Sequence, residues 1–375
     1  MHKGDVIAGE YRELRDARTG ARIHQLTGHA SINHSLFFLN PSFRPGRNAQ
    51  VAFVSHRAGW AQLCLFDFAG CDARCLTERR DLQAFSPGFD AGGGAMYFTT
   101  RDGGVWRLDL ESREETLLAR LEGAGVGECS ASADGKFLVT AFKRQGRHGL
   151  FVVDVAARTG RVIHESGTLK IIHPQFHPGN PDLIAYAGDP APRLWLIQRD
   201  GMGNRCLYPS TEREFFVHES FLGRSDELIF AIWPYRLCRL NIFEGKVRTI
   251  AEINAWHMVS TRDGTRIVSD TNHPDRGLVL IDPATGVVTT LCYPGASGQG
   301  AQWKKDFPAG AEVWGAIRGA EGQTLSWMEM QADGVYGPQW THPHPAFDDA
   351  GGRVVYTSDV TGHPQVYVVE VEERT

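Results

Sequence analysis

The chain has 375 residues, 42% of them hydrophobic and 22% charged, with a formal net charge of −5. This is the make-up of a soluble globular protein, and its acidic balance argues against nucleic acid or an anionic membrane as main partner while leaving room for a basic pocket that takes an acidic small molecule. No apolar run approaches the roughly 20 residues of a transmembrane helix, the opening MHKGDVIAGEYREL lacks the apolar core of a signal peptide, and seven cysteines, an odd number, suit a reducing compartment.

The expectation from these features is a cytoplasmic protein. Cys64, Cys71 and Cys75 are loosely clustered, but their spacing fits no common zinc module.

In chain order, the first element is "RDARTGARIHQLTG", an alternating strand on either side of a T-G turn, which reads as an outer β-hairpin. A pattern then recurs: an apolar strand, a polar turn, a second strand ending in Asp or an equivalent, and a third strand beyond a glycine turn. It begins at Val51, Ala95, Phe137, Leu183, Leu228, Arg266 and Arg353, seven copies mostly 38 to 46 residues apart with one doubled interval before the last. A period of 40 to 45 residues with several strands per unit is the signature of a β-propeller.

The last copy, "RVVYTSDVTGHPQVYVVEV", lacks an outer strand, which the N-terminal hairpin can supply. The expectation is an all-β, seven-bladed propeller, one domain over 1–375, closed by an N-terminal strand pairing with the last blade so that no edge is left open. Two stacked β-sandwiches are the competing architecture. The segment from about 292 to 340 fits the repeat poorly and reads as an insertion over the central opening.

In a propeller, polar residues at the ends of the innermost strands face a central channel. His34 in "NHSLFF" and His173 in "IIHPQFHP" fall at blade starts and are candidate substrate-facing residues, whereas His177 reads as surface. Arg193 in "APRLWLIQRDG", His218 and Glu219 in "FFVHESF", and His257 in "NAWHMVS" occupy comparable places on successive blades. "PQWTHPHPAF" then sets Gln339, His342 and His344 within six positions. The i, i+2 histidines share one side of an extended segment, and the prolines after them stiffen it. On residue types alone this is either a proline-rich turn with solvent-facing histidines or one wall of a site for a borderline divalent ion. His257 is a third imidazole for such an ion or a structural histidine. There is no G-x-S-x-G elbow, no P-loop and no H-E-x-x-H.

"YRELRDARTGARIHQLT", "PRLWLIQRDG", "VHESF", "WHMVSTRDGTRIVSDT" and above all "QWTHPHPAFDDAGGRVVYTSDVTGHPQVYV" resemble, in order along the chain, the oligogalacturonate lyases. These are cytoplasmic seven-bladed propeller enzymes of pectin breakdown. The resemblance implies a divalent metal, most often manganese, held by His257, Gln339, His342 and His344. It also implies His218 as general base and Arg193, 25 residues upstream, as the charge-stabilising arginine. The implied reaction is β-elimination of digalacturonate or unsaturated digalacturonate to 4-deoxy-5-keto-uronate, with a small acidic oligosaccharide as partner and neither nucleic acid nor membrane.

This chain departs from the family pattern in three places. The stretch between His177 and Arg193 is shorter, "HESF" replaces H-E-F-W, and residues 294–338 match poorly. Lyases on another short uronate saccharide, and a non-catalytic TolB-like binding propeller, are the alternatives.

Overall fold

The structure is a computed structural model that describes residues 1–211, 214–272, 274–299 and 339–372. Those residues form seven antiparallel sheets, each built largely from one sequence repeat. The predicted copies begin at or within one residue of the second strand of each sheet in six blades, for example at Phe137–Arg144, Leu183–Asp189 and Arg353–Ser358, and within Arg47–Ser55 in the first. The predicted insertion lies, for the most part, outside the described residues.

The strands alternate with period two, but both faces are buried. In Glu227–Ile232, Leu228, Phe230 and Ile232 pack towards the preceding blade, while Ile229 and Ala231 pack towards the following one. Both parities therefore carry apolar residues, and the strands read as near-continuous hydrophobic runs. One apolar cluster lies between each pair of neighbouring blades, seven in all among the described residues. Each fully buried Val, Leu or Phe in them contributes about 1.5–3 kcal/mol of transfer free energy. The ring is thus held by repeated face-to-face burial between blades.

Closure follows the expectation and extends it. The hairpin Arg12–Arg15 and Arg22–Gln25 adds two strands to the outer edge of the last blade, Ile23 pairing with Val369 and Gln25 with Tyr367. Side chains bolt the seam: His24 Nε2 lies 3.0 Å from Glu370 Oε1, and the Thr27 hydroxyl donates to Gln365 Oε1 at 2.7 Å. Before reaching that blade the chain also lays Val6–Ile7 along the outer strand of the first blade, a pairing too short to show in the sequence.

Deletion of residues 1–27 should leave Gln365–Glu370 as an unpaired edge and open the cluster that contains Ile7 and Leu26. The expected outcome is aggregation on size exclusion and loss of a cooperative thermal transition. A monomeric, cooperatively melting truncation would show that the seam is dispensable.

Candidate active site

The innermost strands Gly125–Ala131, Lys170–Phe176, Phe216–Phe221 and Ala255–Ser260 share a defect. In each, two residues oppose a single residue of the neighbouring strand, with the register shifting between Val126 and Cys129, Ile172 and Gln175, Val217 and Ser220, and Ala255 and Met258. Such a bulge bends the strand and re-aims its side chains. The displaced residues include Glu128, His173, His218, Glu219 and His257, and so the bulges carry most of the polar groups that gather on the axis. His173 and His218 each have φ of 53°, and His344 has 44°. A side chain held in this left-handed region costs on the order of 1–3 kcal/mol, and such residues concentrate at functional sites.

The histidines converge from blades far apart in sequence. His257, His342 and His344 offer ligand nitrogens that all lie within 4.8 Å of one another, and all three are buried. Ring centroids of His257 and His344 are 4.2 Å apart, and His218 is 4.3 Å from His257. The His257 Nδ1 faces Asp270 Oδ2 at 2.8 Å, and its backbone N–H donates to the other oxygen at 2.6 Å. That leaves Nε2 of His257 directed at the cluster, and neither it nor Nε2 of His344 has a hydrogen-bond partner among the described residues. A buried orphan nitrogen is costly unless something fills the position, and a carboxylate behind a ligating imidazole is the usual outer support of a metal ion. Three neutral imidazole donors suit zinc, nickel, iron or a similar divalent ion, and oxygen donors beside them would extend the range to manganese. Burial first, and then the neighbouring imidazoles, hold His257 and His344 well below the ordinary histidine pKa, so both stay neutral as ligands must. Gln339 opens the short helical turn Gln339–Thr341, and its carbonyl accepts the His342 N–H at 3.1 Å.

Beside the imidazoles lies an ion-paired group. Glu219, 1% exposed, accepts from Arg193 Nε at 2.9 Å and faces His173 Nδ1 at 2.8 Å. Glu128 accepts the backbone N–H of His173 at 2.7 Å. Arg193 and His218, singled out in the sequence, therefore meet at one place. Burial above all, then His257, His173 and Arg193, push the His218 pKa well below its ordinary value.

His34 is buried one layer away. It stacks on Phe85 at 4.5 Å, its Nδ1–H donates to the Ser35 carbonyl at 2.8 Å, and Phe85 lies edge-on to His344. Phe38 is fully buried on the axis and touches His173, His218, His257 and His344, at 5.7, 5.4, 5.3 and 6.3 Å between centroids.

His177 departs from the expectation. It is buried, its Nε2 faces Asp226 Oδ1 at 3.0 Å, and its Nδ1 accepts the N–H groups of Gly179 and Asn180. It organises a turn away from the axis. Glu128, Asp270, Phe38 and the bridging role of Glu219 were not read from the sequence. The only available signal was that "VGECS", "IHPQ", "VHES" and "WHMV" occupy one register position in successive repeats.

The fold and the site define a class: a seven-bladed propeller with a buried three-histidine cluster of metal-ligand geometry on its axis. No family model matches the sequence. Two curated proteins match over the whole chain, the oligogalacturonide lyase of Pectobacterium atrosepticum and the oligogalacturonate lyase of Dickeya dadantii, each 22% identical and covered over 99% of its own length. The solved structure of an oligogalacturonate lyase in complex with manganese superposes with a TM-score of 0.82 at 22% identity, covering 100% of this chain and 99% of that one. Over its full length the chain is thus similar to oligogalacturonate lyases in both sequence and fold.

Two outcomes test the geometry. A Cβ at Gly298 would sit 2.5 Å from His342 Cδ2 and 2.9 Å from the Thr341 carbonyl oxygen. Gly298→Ala should therefore weaken any divalent-metal binding at the cluster about tenfold or more without removing a ligand, as read by metal titration. Unchanged affinity would mean that His342 has room to give way.

Burial alone would raise the Glu219 carboxyl, but Arg193 and His173 outweigh it and bring the pKa down from 4.5 to about 2. The stability this contributes is complete above the unfolded value of 4.5 and is lost as pH falls through about 2. Glu219→Gln should flatten the acid limb of a denaturant-stability profile by on the order of 3 kcal/mol across that window. An unaltered acid limb would rule out an ionised Glu219 in the fold.

Proposed function

We propose that this chain cleaves short oligogalacturonides, digalacturonate or its unsaturated form, by metal-dependent β-elimination. The reading is carried by the three imidazoles of His257, His342 and His344 lying within 4.8 Å beside His218. Those three residues, with Gln339, would hold a divalent ion, manganese first. Such an ion, when bound, supplies Lewis-acid withdrawal of charge from the substrate carboxylate.

The chain's own groups do the rest. His218, kept neutral by its surroundings, accepts the proton on C5 of a 4-linked uronate. The C5–H electrons form the C4–C5 double bond, and the glycosidic oxygen leaves C4 and takes a proton from water. Arg193 keeps its positive charge and is oriented by Glu219, so it can offset the negative charge that grows on the uronate as the proton departs. His173 stands on the sugar side, while His34, expected from the sequence to face substrate, sits one layer behind Phe85 and supports that wall. The unsaturated uronate released rearranges to a 4-deoxy-5-keto-uronate. A scaffold propeller has no use for buried imidazoles and a buried ion pair meeting on its axis, which favours the lyase over a binding module.

Manganese-loaded protein mixed with digalacturonate should show a rise in ultraviolet absorbance that chelation abolishes. His218→Ala should lower turnover about a hundredfold or more with metal content intact, whereas His342→Ala should lower both. Normal turnover in His218→Ala would remove it as the base.

A further inference from the structure

The spacing of Cys64, Cys71 and Cys75 fits no zinc module, but the fold gives two of them another relation. Cys64 in Gln62–Asp67 and Cys75 in Asp72–Cys75 are direct partners on adjacent antiparallel strands of the first blade. All seven cysteines are free thiols, and among the described residues no other two face each other across a ladder.

The pair is of the non-hydrogen-bonded kind. The Cys75 carbonyl accepts the Gly4 N–H, and the Cys75 N–H donates to the Asp5 carbonyl, both at 2.9 Å. Its backbone groups are thus turned to the N-terminal segment and away from Cys64. The next rung, from the Leu76 N–H to the Leu63 carbonyl at 2.8 Å, carries the bond between the two strands. Opposed residues of this kind bring their Cα atoms to about 4.5 Å, and a disulfide spans roughly 4.4–6.8 Å. Both side chains lie on the same face, within hydrogen-bonding reach of each other. The sulfurs can therefore meet without a shift of either strand.

Both residues are fully buried, in the cluster where the first blade meets the last. Ile7, Phe66 and Ala73 lie beside them, and Val355, Val366 and Val368 come from the closing blade. On the outer edge the cover is the strand Val6–Ile7, two residues long and paired with Arg74 and Ala73. So short an edge strand opens locally at little free energy, which admits a small oxidant. The hydrogen bond from Cys64 holds the Cys75 thiol below its ordinary pKa, whereas burial pushes the Cys64 thiol up. Cys75 is accordingly the sulfur that reacts first.

We propose that Cys64 and Cys75 form a reversible redox pair, closed to a cross-strand disulfide by a hydroperoxide. With hydrogen peroxide, the Cys75 thiolate attacks one oxygen, the O–O bond breaks, and hydroxide leaves a sulfenic acid on Cys75. The Cys64 sulfur then displaces the sulfenic oxygen, which departs as water with the Cys64 proton. In sum two thiols give up two electrons and two protons, and one peroxide becomes two waters. The new bond ties Gln62–Asp67 to the strand on which the N-terminal segment is laid, and so fastens the first blade at the seam of the ring. A thiol reductant reverses it. None of these steps involves the axial histidines.

The test treats the wild-type full-length chain with hydrogen peroxide, quenches with catalase, alkylates the remaining thiols and digests with trypsin without reduction. Cleavage after Arg57, Arg74 and Arg79 puts Cys64 in fragment 58–74 and Cys75 in fragment 75–79. The expected product is these two fragments joined, two hydrogens lighter than their sum and separated by dithiothreitol. Fragment 58–74 also carries Cys71, so the digest is repeated on Cys71→Ser, which should keep the linkage. The oxidised wild type should melt about 3 °C above the reduced chain, and Cys75→Ala should lose that difference. Cys64 and Cys75 both found alkylated, Cys75 found as sulfinic acid beside an alkylated Cys64, or a linkage lost in Cys71→Ser would each overturn the pair. A linkage with no rise in melting temperature would overturn the fastening of the seam.

Discussion

The site depends on a conflict within the innermost strands. To build the interblade clusters these strands must be extended and regular, yet a regular strand sends alternate residues to the two neighbouring blades and none down the axis. The two-against-one bulge resolves the conflict at one position in four consecutive blades. It leaves the flanking residues in the clusters and turns the displaced ones to the centre. His173 and His218 accept a left-handed backbone as the cost, and the seven clusters between blades supply the surplus stability that lets such strain persist.

The electrostatic arrangement follows from the depth at which these residues sit. Neutral imidazoles are the inexpensive way to place nitrogen donors in a buried space, because burial disfavours their protonated form. A charged arginine there needs compensation, and Glu219 provides it while being held in turn by His173. Asp270 does the corresponding task for His257. Each carboxylate is thus a support one step behind the imidazoles, which fits the proposed role of the centre in taking an anionic substrate.

Much of this was legible from the chain. The propeller followed from strands of constant spacing, and ring closure from a hairpin at the start that matched a gap at the end. His257, His342, His344, His218 and Arg193 stood out by motif, and the structure brings them together. What escaped was long-range and degenerate in one dimension. A bulge adds one residue to a strand and leaves no mark in an apolar run. Glu219 was visible as the neighbour of His218, but nothing local shows that it reaches Arg193, 26 positions back, and His173, 46 positions back. Phe38 looks like any core aromatic until the ring is closed around it. His177 misled because proline and glycine after a histidine suggest an exposed turn, whereas here the imidazole itself accepts the turn's N–H groups.

Phe38 also fixes what lies beneath the imidazoles. Its ring lies under the imidazoles of four blades with no surface open to solvent, so at that level the centre is filled by an aromatic side chain. On the proposed lyase reading, a sugar chain could not run past the imidazoles at this point and would have to enter and leave on the same side of them.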